Sequence, residues 1–449
     1  MALRFRLSAL ALLANLIFAS VAWGQQPEAR RENPGPTAGA ACGRPACIRK
    51  IDLADFGGMV MRFGDLNGDG RADVVVVQSR GQNITCVTAL DLDGKRLWQR
   101  GQANRNNRQL TSDVAVQIYD WDNDGKNEVL VIEGRTLRIL DGATGTVERE
   151  FAVPSNDSIL IGNFTGASRP NDLMIKDRYK NIWVCDKDLN LLWNKTVNTG
   201  HFPMNIDVDG DGRDELLCGY TLFGPDGKVK WDHSKELPDH NDAVDADDMD
   251  GDGKIEFAIA CSKDAALLGA DGTILWRKPL RHAQHAVIGA FVPDKPGKQV
   301  VFVDRVGSGR PDAGTVYCYD KEGKELWRTA PQGWLTIAST IDGWTGTGNR
   351  SFVLLYRRQS GPPVLLDGNG KIAAEFPFPP ACDESKSQYG QYYVQHFDAL
   401  GDCREEVFVY NAEALWIYHN EAPAPANLPE PKRSADPRIY NASFYVGWQ

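Results

Sequence analysis

Four times the chain writes nearly the same nine residues: DLNGDGRAD at 65–73, DWDNDGKNE at 120–128, DVDGDGRDE at 207–215 and DMDGDGKIE at 248–256. All fit D-x-[DN]-x-D-G-x-x-[DE], and an apolar, β-like run follows each copy. Degenerate copies fill the gaps. GNFTGASRPNDLMI (162–175), GAFVPDKPGKQVVFV (289–303) and DGWTGTGNRSFVLLY (342–356) keep the frame and lose the acids; FDALGDCREEVFVY (397–410) keeps some of them. Aligned first positions fall at 65, 120, 163, 207, 248, 290, 343 and 398. A repeat of this period means eight similar units that must pack on one another, because a single unit cannot bury its own apolar face.

A second phrase interleaves with the first: LDLDGKRLW (90–98), CDKDLNLLW (185–193), FGPDGKVKW (223–231), LGADGTILW (268–276) and YDKEGKELW (319–327), with LDGATGTVE and LDGNGKIAA as weaker copies. Each reads as strand, D-G turn, strand. No window sustains a helical period. One unit is therefore a strand, an acidic loop, two strands, a turn and a fourth strand. This predicts an all-β protein, an eight-bladed β-propeller with calcium-binding loops between strands. The tryptophan closing five hairpins is read as packing between blades. A solenoid is the competing architecture and would need capping repeats.

Few core positions tolerate so many carboxylates, so the acidic loops imply a cation. Acids at loop positions 1, 3, 5 and 9, with a backbone carbonyl at 7, converge on one ion, and glycine at 6 allows the turn that brings them together. Hard oxygen ligands in a flexible loop favour Ca²⁺. The predicted sites are Asp65, Asn67, Asp69 and Asp73; Asp120, Asp122, Asp124 and Glu128; Asp207, Asp209, Asp211 and Glu215; and Asp248, Asp250, Asp252 and Glu256. This role is structural and leaves the activity open.

The net charge of −10 argues against nucleic acid and against anionic membrane surfaces as partners. Residues 1–24 read as a secretory signal: Arg4 and Arg6, an apolar stretch from Leu7 to Ala22, then a small-residue cleavage site after Gly24. Residues 25–45 read as a disordered leader and 46–449 as the propeller. No later stretch is apolar enough to insert in a membrane, which predicts a secreted or periplasmic protein. Export permits disulfides. Cys42 with Cys47 is the first candidate and Cys382 with Cys403 the second, while Cys86, Cys185, Cys218, Cys261 and Cys318 sit in strand patterns and read as buried small hydrophobes.

In a propeller the connection entering each innermost strand lies on the face opposite the acidic loops, where loops often build a site. Upstream of the repeat starts lie His201, His240, His285 and His396, with His282, Asn241, Asp242, Arg281, Tyr392 and Tyr393 close by. Such a mouth suits an acidic polysaccharide. Arg281 can pair with a uronate carboxylate, and neutralising that carboxylate acidifies the neighbouring C–H. His285, His240 or Tyr392 can then move the proton in a β-elimination. His201, His282, His396, Asn241, Asp242 and Tyr393 are the expected sugar-binding groups.

FDALGDCREEVFVYNAEALWIY (397–418), HAQHAVIGAFVPDKPGKQVVFVD (282–304) and DPRIYNASFYVGWQ (436–449) resemble segments of the family-eleven rhamnogalacturonan lyases. The resemblance runs from about residue 55 to the C-terminus. It implies a secreted, calcium-binding eight-bladed propeller of the FG-GAP type that cleaves the rhamnose–galacturonate backbone of pectin by β-elimination. The chain departs from that family in lacking an N-terminal β-domain, in a compact first-to-second blade connection (QSRGQNITCVTALDLDG), in stopping at Gln449, and in altered histidine segments. A non-catalytic propeller that binds carbohydrate or protein therefore stays open as the alternative. The hairpin phrase is also similar to quinone-cofactor propeller repeats, but the adjacent cysteine pair of that class is missing.

Overall fold

The computed structural model describes residues 42–425 except 59, 108–113, 202, 238, 306–313, 332–333, 348–349, 359–361 and 378–391. The described residues fall within one compact unit. The signal and nearly all of the leader thus lie outside the described residues. Among those described, the only helix is a single 3-10 turn, Ala54–Phe56, and all other regular structure is antiparallel strand. The all-β class holds.

Eight four-stranded groups follow one another. The first contains Val60–Gly64, Asp73–Arg80, Asn83–Asp91 and Arg96–Gly101, paired in that order. Residues 78–94 are therefore the second and third strands of the first unit and the turns around them, not a connection between units. The second, third and fourth units span residues 116–152, 158–196 and 204–232. The fifth and sixth share a strand. Ile274–Gly289 pairs with Ser262–Gly269 along its first part and with Gln299–Asp304 along its second. The seventh spans residues 334–375. The eighth takes three strands from residues 393–420, and its fourth is the first strand of the chain, Pro45–Asp52, paired with Ala414–Asn420.

Burial explains the strand order. The runs after the acidic loops are apolar on both faces: Val74, Val75, Val76 and Val77 are all buried, as are Val129, Leu130, Val131 and Ile132. A strand covered on both sides needs no alternation. The fourth strands do alternate, as in Val147–Ala152, where every second residue is exposed. Successive first strands are tied together. Arg62 donates from Nε to the Val116 carbonyl (2.9 Å), Asn205 from Nδ2 to Ile161 (3.3 Å), and Thr340 from Oγ1 to Ile288 (2.8 Å). Phe63 of the first unit packs on Phe397 and Phe408 of the last, with ring centroids 5.4 and 4.7 Å apart. One apolar cluster runs from Ile51 and Phe63 through Phe408 to Tyr418.

The hairpin tryptophans bind the next unit. Trp98, Trp193, Trp231 and Trp276 donate their indole N–H to the carbonyls of Gly142, Pro225, Ala270 and Lys321, each in the following D-G-type turn. The turn glycine lies flat against the ring. At Gly272, with φ +83°, an added Cβ would stand 2.6 Å from Trp231. Gly272→Ala therefore meets both left-handed strain and an occupied site. It is expected to cost about 3 kcal/mol in equilibrium denaturation, and a loss under about 1 kcal/mol would mean the contact is loose.

The five strand cysteines are buried, as expected. Cys42 and Cys47 are not bonded to each other. The Cys47 thiol points to the Arg49 carbonyl (3.3 Å) on the strand that pairs with the far edge of the last unit. Strand pairing, rather than a disulfide, ties down this end of the fold. Cys382 lies outside the described residues.

Candidate functional site

The four acidic loops are built alike. In the second, Asp120 accepts backbone N–H bonds from positions 5 and 6, Asp124 (3.1 Å) and Gly125 (3.2 Å). In the other three the first aspartate accepts them from positions 4 and 6. Gly68 and Gly70 donate to Asp65 (2.7 and 2.8 Å), Gly210 and Gly212 to Asp207 (2.7 and 2.9 Å), and Gly251 and Gly253 to Asp248 (2.7 and 2.9 Å). Those glycines sit at φ between +75° and +83°, a conformation that costs other residues strain. The closing acid turns back on the loop. Asp73, Glu128, Glu215 and Glu256 accept the N–H of Leu66, Trp121, Val208 and Met249. Burial pushes Asp73 up to about 6 and Glu128 up to about 7. In three loops the acids at positions 1, 3 and 9 bring one oxygen each within 4.8 Å of one another, an arrangement that can hold a metal ion.

Basic side chains reach into three of these loops. Lys230 Nζ lies 2.7 Å from Asp209 and 2.6 Å from Glu215, and Lys321 Nζ lies 2.5 Å from Asp250 and 3.0 Å from Glu256. Arg169 pairs with Asp120 (3.1 Å). In the eighth loop the substitution is complete. Leu400 takes position 3, Arg404 bonds Asp402 (2.8 Å), and His419 bonds Glu406 (2.8 Å). Arg404 thus neutralises Asp402, while burial pushes Glu406 up to about 8 and holds His419 below its usual range.

Antiparallel pairing puts the entry to each first strand, and each second-to-third turn, at the end away from the acidic loops. There the polar groups converge on Asp242, which is 2% exposed. Ser262 Oγ donates to it (2.7 Å), as does Gln284 Nε2 (2.9 Å). His240 and His282 each place Nε2 3.5 Å away, and His201 Nε2 lies at 3.8 Å. Burial alone would raise the Asp242 pKa, but His240 and His282 outweigh it and hold the carboxyl well below its usual range. The bond to Asp242 lifts His240 to about 9 against the cost of burial. His201 goes the other way, since burial presses it down to about 3. One imidazole is thus held protonated and its neighbour neutral, with ring centroids 5.1 Å apart. His201, His240 and Asp242 also form a donor set that can hold a metal ion.

Backbone strain concentrates here. Tyr179, Asp239 and Ser262 have φ of +68°, +68° and +54°, and each lies beside this cluster. Tyr179 sets its hydroxyl 3.2–3.3 Å from the His201 ring nitrogens. Next to it, Arg178 lies over the Tyr179 ring (5.1 Å). Arg305 places Nη2 3.0 Å from His282 Nε2.

Of the residues singled out in the sequence, the fold brings together His201, His240, His282, Asn241 and Asp242. Asn241 is buried and structural, donating to the Gly219 carbonyl (3.0 Å) while its own carbonyl takes the His201 N–H (2.9 Å). Arg281 is exposed beside Asp304, 3.6 Å away. His285 is fully buried in the strand, opposite Val303. Tyr392 and Tyr393 are 2% and 3% exposed within the apolar core. His396 is buried and bonded to Glu405. These four side chains are buried because the first strands are packed on both faces. Sequence reading missed Arg178, Tyr179, Ser262 and Arg305, which lie on second-to-third turns or next to them, not upstream of a repeat start. The turn KDRYKN at 176–181 carried the signal.

No protein-family model matches the chain. The curated rhamnogalacturonan endolyase YesW of Bacillus subtilis (strain 168) is 24% identical over 257 residues, 42% of this chain and 41% of that enzyme. The exotype rhamnogalacturonan lyase YesX superposes with a TM-score of 0.65 at 22% identity, covering 84% of this chain and 76% of YesX. The chain resembles the family-eleven rhamnogalacturonan lyases. The biofilm matrix protein Bap1 of V. cholerae shares the fold as well, with a TM-score of 0.63 at 15% identity over 90% of this chain and 94% of Bap1. The segment matched in sequence spans about two fifths of the endolyase, and likeness at these identities speaks to fold alone. Among the described residues, no helix is long and apolar enough to cross a membrane.

Proposed function

We propose that the protein is an exported, calcium-binding, eight-bladed β-propeller that acts on an acidic polysaccharide as a lyase. The reading rests on one observation above the others: three histidines gathered on a buried carboxylate, with arginines beside them, at the end opposite the acidic loops. The eight four-stranded groups serve as blades, and Ca²⁺ in the loops at 65–73, 120–128, 207–215 and 248–256 holds the turns between their first and second strands. In β-elimination a base takes the C5 proton of a uronate residue. The electron pair forms the C4–C5 double bond, the C4–O bond breaks, and the departing oxygen takes up a proton. His240, kept protonated by Asp242, can supply the proton that the departing oxygen takes up, while His201, pressed down to about 3 by burial, is too weak a base for the C5 proton and serves to bind the sugar. The donor set of His201, His240 and Asp242 supports a second form of the reading, in which a divalent ion there attracts the uronate carboxylate.

The test is incubation with pectic rhamnogalacturonan, ulvan-type and gum-type polysaccharides, with calcium, after chelation, and with manganese or zinc added back. The expected result is ultraviolet absorbance from the new double bond on at least one polymer. Binding without absorbance on every polymer would replace the lyase with a non-catalytic carbohydrate-binding propeller.

A further inference from the structure

We propose that Arg178 is the residue that selects a carboxylate-bearing sugar over a neutral one, an inference that rests on the acidic-polysaccharide reading above. The argument begins with a buried ion pair. Lys176 and Asp157 are each 1% exposed and bonded to each other, and the Gln82 amide of the first unit bonds the same carboxylate. A buried carboxylate with an ammonium and an amide on it is already balanced. Arg178 nevertheless places Nη1 3.7 Å from Asp157, with its side chain 34% exposed. Two cations therefore face the Asp157 carboxylate, Lys176 buried and Arg178 partly at the surface. Arg178 lies over the Tyr179 ring, whose centroid is 5.8 Å from that of the His240 ring. A part-exposed guanidinium beside the histidine cluster is a group that pairs with an anionic ligand.

The guanidinium is also held in place. Asp177 caps its turn, accepting the N–H of Lys180 (3.0 Å) and Asn181 (2.7 Å). Arg178 lies over the Tyr179 ring and donates from Nη2 to the Tyr179 hydroxyl (3.4 Å), while the left-handed backbone at Tyr179 fixes that ring. A planar fork oriented in this way suits bidentate pairing with a carboxylate. Amides surround the same Asp157 carboxylate. Asn156 Nδ2 donates to the Gln82 carbonyl (3.4 Å) and to Asn83 Oδ1 (3.3 Å), and Asn83 is exposed. A carboxylate next to amides and an aromatic ring is the chemistry of a uronate residue within a polymer.

The experiment is calorimetric titration, in the cold and with calcium, of the full chain with rhamnogalacturonan oligosaccharides and with their carboxyl-reduced forms. Wild type should prefer the acidic oligosaccharide. Arg178→Gln should weaken that binding roughly 30-fold and leave the reduced oligosaccharide unchanged. Arg178→Lys, which keeps the charge and loses the fork, should fall between and carries the test if the glutamine variant melts early. Retained preference for the acidic form in a folded Arg178→Gln protein overturns the assignment while leaving the polysaccharide reading standing. Equal weakening for both forms overturns it too. Wild type that binds neither form overturns the polysaccharide reading and this inference together.

Discussion

Excess EDTA is expected to lower the melting temperature by about 10 °C, and added calcium to restore it. Each acidic loop holds three or four acids, and in three of them oxygens from positions 1, 3 and 9 fall within 4.8 Å of one another. A site saturated at about a hundred times its dissociation constant stabilises the fold by ~2.7 kcal/mol, so four sites contribute ~10 kcal/mol. With an unfolding entropy of ~0.8 kcal/mol/K for a chain of this length, that corresponds to about 10 °C. The loss should be uneven. Lys230 and Lys321 already stand between the acids at positions 3 and 9 of the third and fourth loops. Asp65→Asn is therefore expected to remove more of the calcium effect than Asp207→Asn. A melt that does not move in EDTA would mean that none of the four loops holds calcium, and the lysines and arginines would then be the only neutralising cations.

The acidic loops and D-G turns were legible because their residues are dictated locally. Position 6 needs a left-handed backbone, position 1 needs two N–H acceptors, and the hairpin needs a turn glycine that lies flat on a tryptophan ring. Each requirement leaves one or two residue types at a fixed offset. The unit count was legible for the same reason, since even degenerate loops keep the frame. At 290–299 Gln299 takes the place of the closing acid and still accepts the Val292 N–H (2.7 Å). Closing the eighth unit with strand Pro45–Asp52 was not legible, because pairing between the two ends of a chain leaves no local mark. The site was half legible. Three of the histidines upstream of the repeats do gather at Asp242, but whether a residue of these segments faces the core or that cluster depends on register. That is why His285 and Tyr392 are buried while His240 is partly open. Arg178 and Tyr179 came from a different connection at the same end, which only the pairing order reveals.

His240→Ala is expected to cut the rate of any lyase activity by ~10²-fold or more with little change in stability at alkaline pH. The imidazole sits between Asp239 (2.6 Å) and Asp242 (3.5 Å), and these carboxylates hold it protonated up to about pH 9. A raised histidine pKa adds stability that is fully present below about pH 6.5 and lost as pH rises through about 9. The variant should therefore be destabilised most at pH 6 and least at pH 10, where wild type has lost the same charge. As a proton donor, His240 gives wild type an alkaline limb near pH 9 in kcat/KM, and that limb disappears in the variant. If His240 instead holds a metal ion, activity after chelation returns with one added metal and that limb is absent. A variant that keeps the wild-type rate and the wild-type limb removes His240 from the chemistry. It would leave the histidine cluster as a binding surface and move the protein to the non-catalytic reading.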